Sequence, residues 1–482
     1  MEAFVNGLNN ILWSTPVIYI CLGVGLLFSI LTRFLQVRLI KDMVMLMFQG
    51  KSSSAGVSSF QALSIALSGR VGTGNIAGTA TAIAMGGPGA VFWMWAIAFI
   101  GAGTAFVEST LAQIYKVKKD GLYRGGPAYY IEKGMGVKWF AVLFAISALV
   151  ALSLLMPGIQ ANAIASGIEN AFSVPKWITG LFVCGLLALI IFGGVKRIAN
   201  AAQLIVPFMA IGYILVALII MAMNIGEIGN VFSLIFRSAF GADAAFGGII
   251  GSAIAWGVKR GIYSNEAGQG TGPHAAAAAE VSHPAKQGLV QAFSVYIDTL
   301  FVCSATAFMI LFTGMFNTVG TDGNMIAENL PGVEAGPGYT QAAVESVLPG
   351  FGAGFVAISL FFFAFTTLMA YYYMSETNVT YLFKNSKWPT FILKFVLLGS
   401  AFYGSVKTAG LAWALGDVGL GLMVWLNIIA ILILAKPALL ALKDYEQQKK
   451  QGLDPVFNST KLGIKNAEYW ENGYQEEKEK VS

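Results

Sequence analysis

Long apolar stretches separated by short polar ones dominate the chain. About 20 apolar residues in a helix span the hydrocarbon core of a bilayer. Eleven such stretches fall at residues 12–32, 60–85, 90–114, 139–163, 177–195, 203–224, 244–280, 288–314, 352–375, 390–408 and 412–436, the seventh long and interrupted. The polar segments between them divide by sign. One set carries Arg33, Arg38, Lys41 and Lys51, then Lys116, Lys118, Lys119, Arg124, Lys133 and Lys138, then Lys196 and Arg197. It continues with Lys286, with Lys384, Lys387 and Lys394, and with a Lys-rich end from Lys436 to Lys480. The other set holds Lys176, Arg237 and Lys407 among Glu2, Glu227, Asp243, Asp322, Glu328, Glu334 and Glu345. Lys and Arg accumulate in cytoplasmic loops. The pattern therefore predicts an all-α polytopic protein of the cell membrane, with its N-terminus outside and its C-terminus in the cytoplasm.

Composition narrows the class. Of 482 residues, 56% are hydrophobic and 11% charged, with a mean hydropathy of +0.68. Soluble domains carry about 25% charged residues, so a soluble multidomain enzyme, a disordered scaffold and a nucleic-acid binder are all excluded. The net charge of +5 reads as an orientation signal. The 56 Gly against 14 Pro suit membrane helices, where Gly permits close backbone approach. Cys21, Cys184 and Cys303 each lie in an apolar run and read as small core residues. With His274 and His283 as the two histidines, a transition-metal site has almost no ligands. No Lys or Arg precedes the first apolar run, so a cleavable signal peptide is not expected. The Asn378 and Asn458 glycosylation triplets fall on the cytoplasmic side and read as chance.

Two spans contain helix breakers. The first reads Ser68-Gly69-Arg70-Val71-Gly72-Thr73-Gly74-Asn75-Ile76-Ala77-Gly78. Each helical Gly costs about 1 kcal/mol relative to Ala, and unwound backbone at membrane depth is tolerated only in protein or beside a cavity. Its chemical use is as an ion site: unpaired amides attract an anion, and unpaired carbonyls attract a cation. The second break, Trp256-Gly257-Val258-Lys259-Arg260-Gly261-Ile262-Tyr263-Ser264-Asn265-Glu266-Ala267-Gly268-Gln269-Gly270, lies about 190 residues later, the spacing of paired broken helices in repeat-built transporters. That predicts an extra helix (12–32) after an extracellular N-terminus (1–11), two inverted five-helix repeats (57–224 and 244–437), and a solvated cytoplasmic tail (443–482). The glycine pattern Gly72-x-Gly74-x-x-x-Gly78 lacks the spacing and preceding strand of a nucleotide fingerprint. Glycines used only for tight helix packing remain the plain alternative.

Gly86-Gly87-Pro88-Gly89-Ala90-Val91-Phe92-Trp93-Met94-Trp95, Gly72-Thr73-Gly74-Asn75-Ile76-Ala77-Gly78 and Ser264-Asn265-Glu266-Ala267-Gly268 closely resemble the signatures of the sodium:alanine (alanine or glycine:cation) symporter family. The resemblance extends over essentially the whole chain. It implies the inverted-repeat fold of the bacterial leucine transporter with one extra helix in front, Na⁺ as coupling ion without an organic cofactor, and a small neutral amino acid, alanine or glycine, as substrate. The substrate carboxylate is then expected on the freed amides of Thr73 and Gly74, beside Gly72, with Asn75 offering both donor and acceptor. Gln160, a lone amide in an apolar span, makes either an interhelical hydrogen bond or a substrate contact. Trp256 and Asn265 at the second break complete the substrate-binding set with Thr367 and Tyr371, which share a helical face. Tyr371 stands where many family members have Trp, which leaves pocket size open. The resemblance also implies a sodium cage from Thr366, Thr367 and the carbonyls of Phe363, Ser68 and Val71. The alternative is that these hydroxyls bond back to carbonyls one turn earlier.

Arg70, Glu108, Lys259, Arg260, Glu266 and Asp298 lie in or near spans, where a charge costs about 2.5–3.5 kcal/mol on insertion scales. They either pair as staples between repeats, or Glu266 or Asp298 gates the path or carries a proton. The functional reading is Na⁺-coupled amino-acid symport by alternating access, not an enzyme. Its rivals are a proton-coupled transporter of the same fold, a passive channel, and a membrane-embedded hydrolase built on Ser68 or Ser264.

Overall fold

The structure is a computed structural model that describes residues 2–50, 52–384 and 386–474. Lys51 of the basic loop set and the last part of the 443–482 tail, with Lys478 and Lys480, lie outside the described residues. Eight helices among the described residues are long and apolar enough to cross a membrane: Phe4–Leu31, Gly89–Ile114, Lys138–Phe172, Lys196–Met223, Pro284–Thr313, Gly352–Phe383, Lys387–Val406 and Ala409–Ile433. Lys176–Ile191 is apolar but shorter. The remaining two apolar stretches are the interrupted ones. The first runs as a helix over Ser59–Arg70, a π-helical turn over Gly74–Gly78 and a helix over Thr79–Gly86. The second consists of helices over Ile250–Asn265 and Gly272–Ala278. Two short antiparallel hairpins, Val117–Lys119 with Leu122–Arg124 and Asn317–Val319 with Met325–Glu328, are the strands among the described residues.

Local chemistry sets the limits of the first interrupted segment. Ser58 and Gln61 form a reciprocal capping box that satisfies two orphan amides at its start. Gly87, at φ +70°, ends it just before Pro88. Around it the Gly89–Ile114 helix forms the centre, packed against Ile250–Asn265 and Pro284–Tyr296. The N-terminal helix Thr15–Leu31 leans on the same centre, with Ser29 Oγ donating to the Ile100 carbonyl at 3.2 Å. On Val195–Met223 the exposed Leu204, Phe208, Ile211 and Leu215 recur at helical spacing and make an outward apolar stripe. An apolar stripe of that size belongs against lipid.

On one face the two interrupted segments are tied together. The Val57 amide donates to the Ala278 carbonyl at 2.9 Å, and the Glu280 amide to the Val57 carbonyl at 2.8 Å. Residues 453–474 dock on this same face. Phe457, Ile464, Tyr469 and Trp470 are buried, so the expectation of a solvated tail is wrong for this stretch. Its charges suggested solvent, but its spaced aromatic residues reach apolar surface between them.

Candidate functional site

At the first break, the helix stops at Arg70 and resumes as a π turn at Gly74. In a continuous helix the Gly72 amide would bond the Ser68 carbonyl, and the Asn75 amide the Val71 carbonyl. Instead the Gly72 amide donates to Asn75 Oδ1 at 2.7 Å, and the Asn75 amide goes to the Gly72 carbonyl at 3.2 Å. The Ser68 and Val71 carbonyls thereby lose their helical donors. The Thr73 amide and hydroxyl both donate to Gln160 Oε1, at 3.1 and 2.8 Å. Gln160 Nε2 in turn donates to the hydroxyls of Tyr263 at 3.1 Å and Tyr371 at 3.4 Å. Thus Gly72, Thr73, Asn75, Gln160 and Tyr371 come together, joined by Tyr263, which sequence reasoning did not single out. An aromatic four positions before Ala267 on the second broken helix was the available signal.

Two close approaches complete this group. A Cβ on Gly74 would lie 3.2 Å from Ser264 Cα, so the two broken backbones nearly touch. A Cβ on Gly72 would collide with Thr367 Oγ1 and lie 3.1 Å from Gln160 Oε1. The Thr366 and Thr367 hydroxyls donate to the Phe363 carbonyl at 2.9 and 3.0 Å. These hydroxyls therefore bond back along their own helix, while Thr367 also faces the break. The donor set is all oxygen, as a hard cation needs: two hydroxyls, the Phe363 carbonyl, and the Ser68 and Val71 carbonyls without helical donors. On that chemistry the residues fit Na⁺.

Asn75 also connects to a buried carboxylate. Its Nδ2 donates to Asp298 Oδ1 at 2.6 Å, and Ser264 Oγ donates to the same oxygen at 3.0 Å. Asp298 lies on a π-helical stretch, Ile297–Cys303, a distortion frequent at functional positions. Arg70 donates to the Gln291 carbonyl at 3.2 Å and to Ser294 Oγ.

The second break is held differently. Glu266 ends its first helix in the left-handed region at φ +57°. The Gly268 and Gly270 amides donate to the two oxygens of Glu108, each at 3.2 Å. Asn427 Nδ2 adds a bond to Glu108 at 2.8 Å and one to the Gly268 carbonyl at 2.9 Å. Asn265 Oδ1 accepts the Ala267 amide at 3.0 Å, so this predicted substrate residue caps its own turn. Trp256 reaches the Gln160 group only through the Arg260, Trp413 and Tyr263 stack among the contacts of the described residues. It sits beside Lys259 and Arg260, whose charges meet Asp417 at 2.7 and 2.9 Å. All three lie within 244–437, so this trio ties that part of the chain to itself and does not staple the two predicted repeats together. Above it, Arg260 stacks on Trp413 at 4.2 Å, and Trp413 rests on Tyr263 at 5.0 Å. A cavity of about 620 Å³, lined by Ala77, Asn162, Gln341 and Trp413, opens on the face that carries Lys176 and Glu345.

Among the described residues neither serine of the hydrolase rival is hydrogen-bonded to a histidine or a lysine. Ser68 Oγ donates to the Ile65 carbonyl at 2.7 Å and Ser264 to Asp298. The His274 ring is engaged with Thr271 and Asn378.

A helical membrane protein whose interrupted segments bring two broken backbones together in its core is built like a secondary transporter. Residues 1–459 match the Sodium:alanine symporter family, and the chain belongs to that family. YrbD of Bacillus subtilis (strain 168) is 74% identical over 484 residues, covering 100% of both chains. The sodium/proton-dependent alanine carrier protein of Bacillus sp. (strain PS3) is 60% identical over 444 residues, covering 91% of this chain and 99% of that relative. Among solved structures, a manganese transporter from Eremococcus coleocola superposes with a TM-score of 0.54 at 12% identity, over 86% of this chain and 93% of that one. At that identity the likeness concerns the fold.

Proposed function

We propose that this protein is a secondary active transporter that couples Na⁺ to the entry of a small neutral amino acid, alanine or glycine, by alternating access. The observation that carries the reading is the first break, where backbone amides are held by neutral side-chain oxygens of Asn75 and Gln160. A substrate carboxylate is a better acceptor for such amides than a neutral amide oxygen, because a charge-assisted bond is roughly twice as strong. On binding, it displaces Gln160 Oε1 from Thr73 and reaches the Gly74 amide. Gln160, released, turns to the rest of the zwitterion beside Tyr263 and Tyr371. Na⁺ draws the Thr366 and Thr367 hydroxyl oxygens and the Phe363, Ser68 and Val71 carbonyls into one shell, which orders the break and prepares the amide site. The name of the Bacillus sp. (strain PS3) relative, an alanine carrier, supports the substrate class.

The architecture of this reading is eleven spans, formed by the eight long helices, Lys176–Ile191 and the two interrupted segments, arranged as one helix plus inverted repeats of five. Its N-terminus lies outside and its C-terminus in the cytoplasm. The vestibule above Trp413 is the outer entrance. A proton-coupled version is the second reading. It is favoured by Asp298, a buried carboxylate bonded directly to Asn75, and by the word proton in that relative's name.

The test is competition of labelled alanine uptake by a panel of amino acids in liposomes, with wild type and Asn75→Ala. Wild type is expected to favour alanine and glycine, and Asn75→Ala to lose uptake while staying folded. Wild-type uptake by that variant would remove Asn75 from the site.

A further inference from the structure

The segment after Lys450 grips three separate parts of one face. At its start, the Phe457 amide donates to the Ser282 carbonyl at 2.9 Å, Ser282 Oγ donates to the Pro455 carbonyl at 2.8 Å, and Lys286 pairs with Asp454 at 2.5 Å. Further along, Trp470 Nε1 donates to the Gln113 carbonyl at 2.8 Å. The Lys116 ammonium lies over the rings of Tyr123, Tyr469 and Trp470 at 4.2, 4.5 and 5.2 Å, and donates to the Ala279 carbonyl at 3.1 Å. The third grip is on Lys133. Asn466 Nδ2 donates to its carbonyl at 3.0 Å, and Glu468 pairs with its ammonium at 2.6 Å.

These anchors differ in what they belong to. Gln113 and Lys116 end the central Gly89–Ile114 helix, Ala279–Lys286 follows the second interrupted segment, and Lys133 precedes the Lys138–Val150 helix. Ala279 is also where the two interrupted segments are bridged through Val57. Parting these segments from the Lys138–Val150 side breaks one set of strap contacts or the other. A cavity of about 480 Å³, lined by Gly50, Ser59, Glu280, Lys286, Asp454 and Tyr474, lies between the strap and the start of the first segment. The family match ends at residue 459, so Tyr469 and Trp470 lie beyond it.

We propose that residues 453–474 are a latch: docked, they hold the end of the second interrupted segment and the end of the central helix to the Lys133 side, and their release precedes opening on this face. The latch serves the alternating-access reading above, but hydrogen exchange detects it without any transport, so the two ideas fail separately.

The experiment compares full-length wild type with Trp470→Ala in lipid nanodiscs by hydrogen–deuterium exchange. Local openings are set by the contacts that hold them shut. The expected result is exchange about tenfold faster in residues 274–286, with no change in Gly352–Phe383. Faster exchange in 465–474 with 274–286 unchanged overturns the proposal. Should Trp470→Ala loosen the whole protein, Glu468→Lys decides. The latch predicts faster exchange at 274–286 in Glu468→Lys and a return to wild type in Lys133→Glu/Glu468→Lys. No change in the single variant overturns the proposal.

Discussion

At the second break the amides of Gly268 and Gly270 rest on Glu108, a carboxylate supplied by the chain itself, while at the first break those of Gly72 and Thr73 rest on the neutral oxygens of Asn75 and Gln160. Both breaks expose amides in a membrane interior, where an orphan donor costs about 1–3 kcal/mol. Glu108 accepts from both amides and from Asn427, so one side chain of the chain itself serves three donors at this break. The second break is therefore a fixed joint. The first rests on the neutral acceptors Asn75 and Gln160, which an incoming carboxylate can replace. One break is finished by the fold, and in the proposed function the other is finished by the substrate.

The contrast breaks most visibly if Glu108 is removed. Glu108→Ala orphans two buried amides, while Asn427 keeps its bond to the Gly268 carbonyl, and at about 1–3 kcal/mol per orphaned donor it should destabilise the protein by roughly 2–6 kcal/mol, read as a fall in melting temperature. Glu108→Gln keeps an acceptor and should cost about 1–3 kcal/mol. Unchanged melting in Glu108→Ala would mean that the second break does not depend on the carboxylate.

Gln160→Glu makes the first break resemble the second. A fixed carboxylate then faces the Thr73 amide, and a like charge costs an incoming carboxylate several kcal/mol. Alanine binding should weaken at least about 100-fold, or roughly 2.7 kcal/mol, while the melting temperature holds. Wild-type affinity in calorimetry would place the substrate carboxylate elsewhere. Gly72→Ala sharpens the same point. Its Cβ meets Thr367 Oγ1 and Gln160 Oε1, an overpacking worth about 1–3 kcal/mol. Uptake should fall sharply, and Ala at position 72 with normal uptake would show that the two helices are not pressed together there.

The smallest effect lies away from both breaks, at His283. Its Nδ1 accepts the Ala285 amide at 3.1 Å and its Nε2 faces Asp444 at 3.3 Å. Burial, the largest influence, pushes the ring's pKa below its ordinary value despite Asp444, with Lys286 and Asp454 also nearby. The hydrogen bond from His283 in turn holds the Asp444 carboxyl below the usual range. Below about pH 6.5 the unfolded chain takes up a proton at His283 that the folded chain resists. The stability from this site is thus complete above that pH and declines as pH falls toward the depressed folded value. Melting temperature should fall between about pH 7.5 and 5.5 in wild type, and less in His283→Asn, which keeps a helix cap without the titration. Equal slopes would remove His283 from the acid response.

Much of this was legible because membrane burial writes itself into composition. Apolar runs marked the helices, and breakers such as Gly72 and Gly74 marked the interruption. Gln160 was conspicuous as a lone amide in an apolar span. The partner at the second break was not legible. Glu108 lies some 160 residues before Gly268, and no local pattern joins a carboxylate to amides across that distance. Nor were the partners of Asn265 and Trp256 legible: both adjoin a break in sequence, and in the fold Asn265 Oδ1 caps its own turn while Trp256 lies beside Lys259 and Arg260 of the Asp417 charge layer. The strap was misread because hydropathy averages conceal single aromatic anchors such as Tyr469 and Trp470.

The central claim is that the first break is completed by an amino-acid carboxylate under the control of Na⁺. Its most direct test is labelled alanine uptake by wild-type protein in liposomes, with either an inward Na⁺ gradient or a proton gradient in Na⁺-free buffer. The account predicts accumulation with the Na⁺ gradient and none with the proton gradient. Equal uptake under both conditions would contradict it.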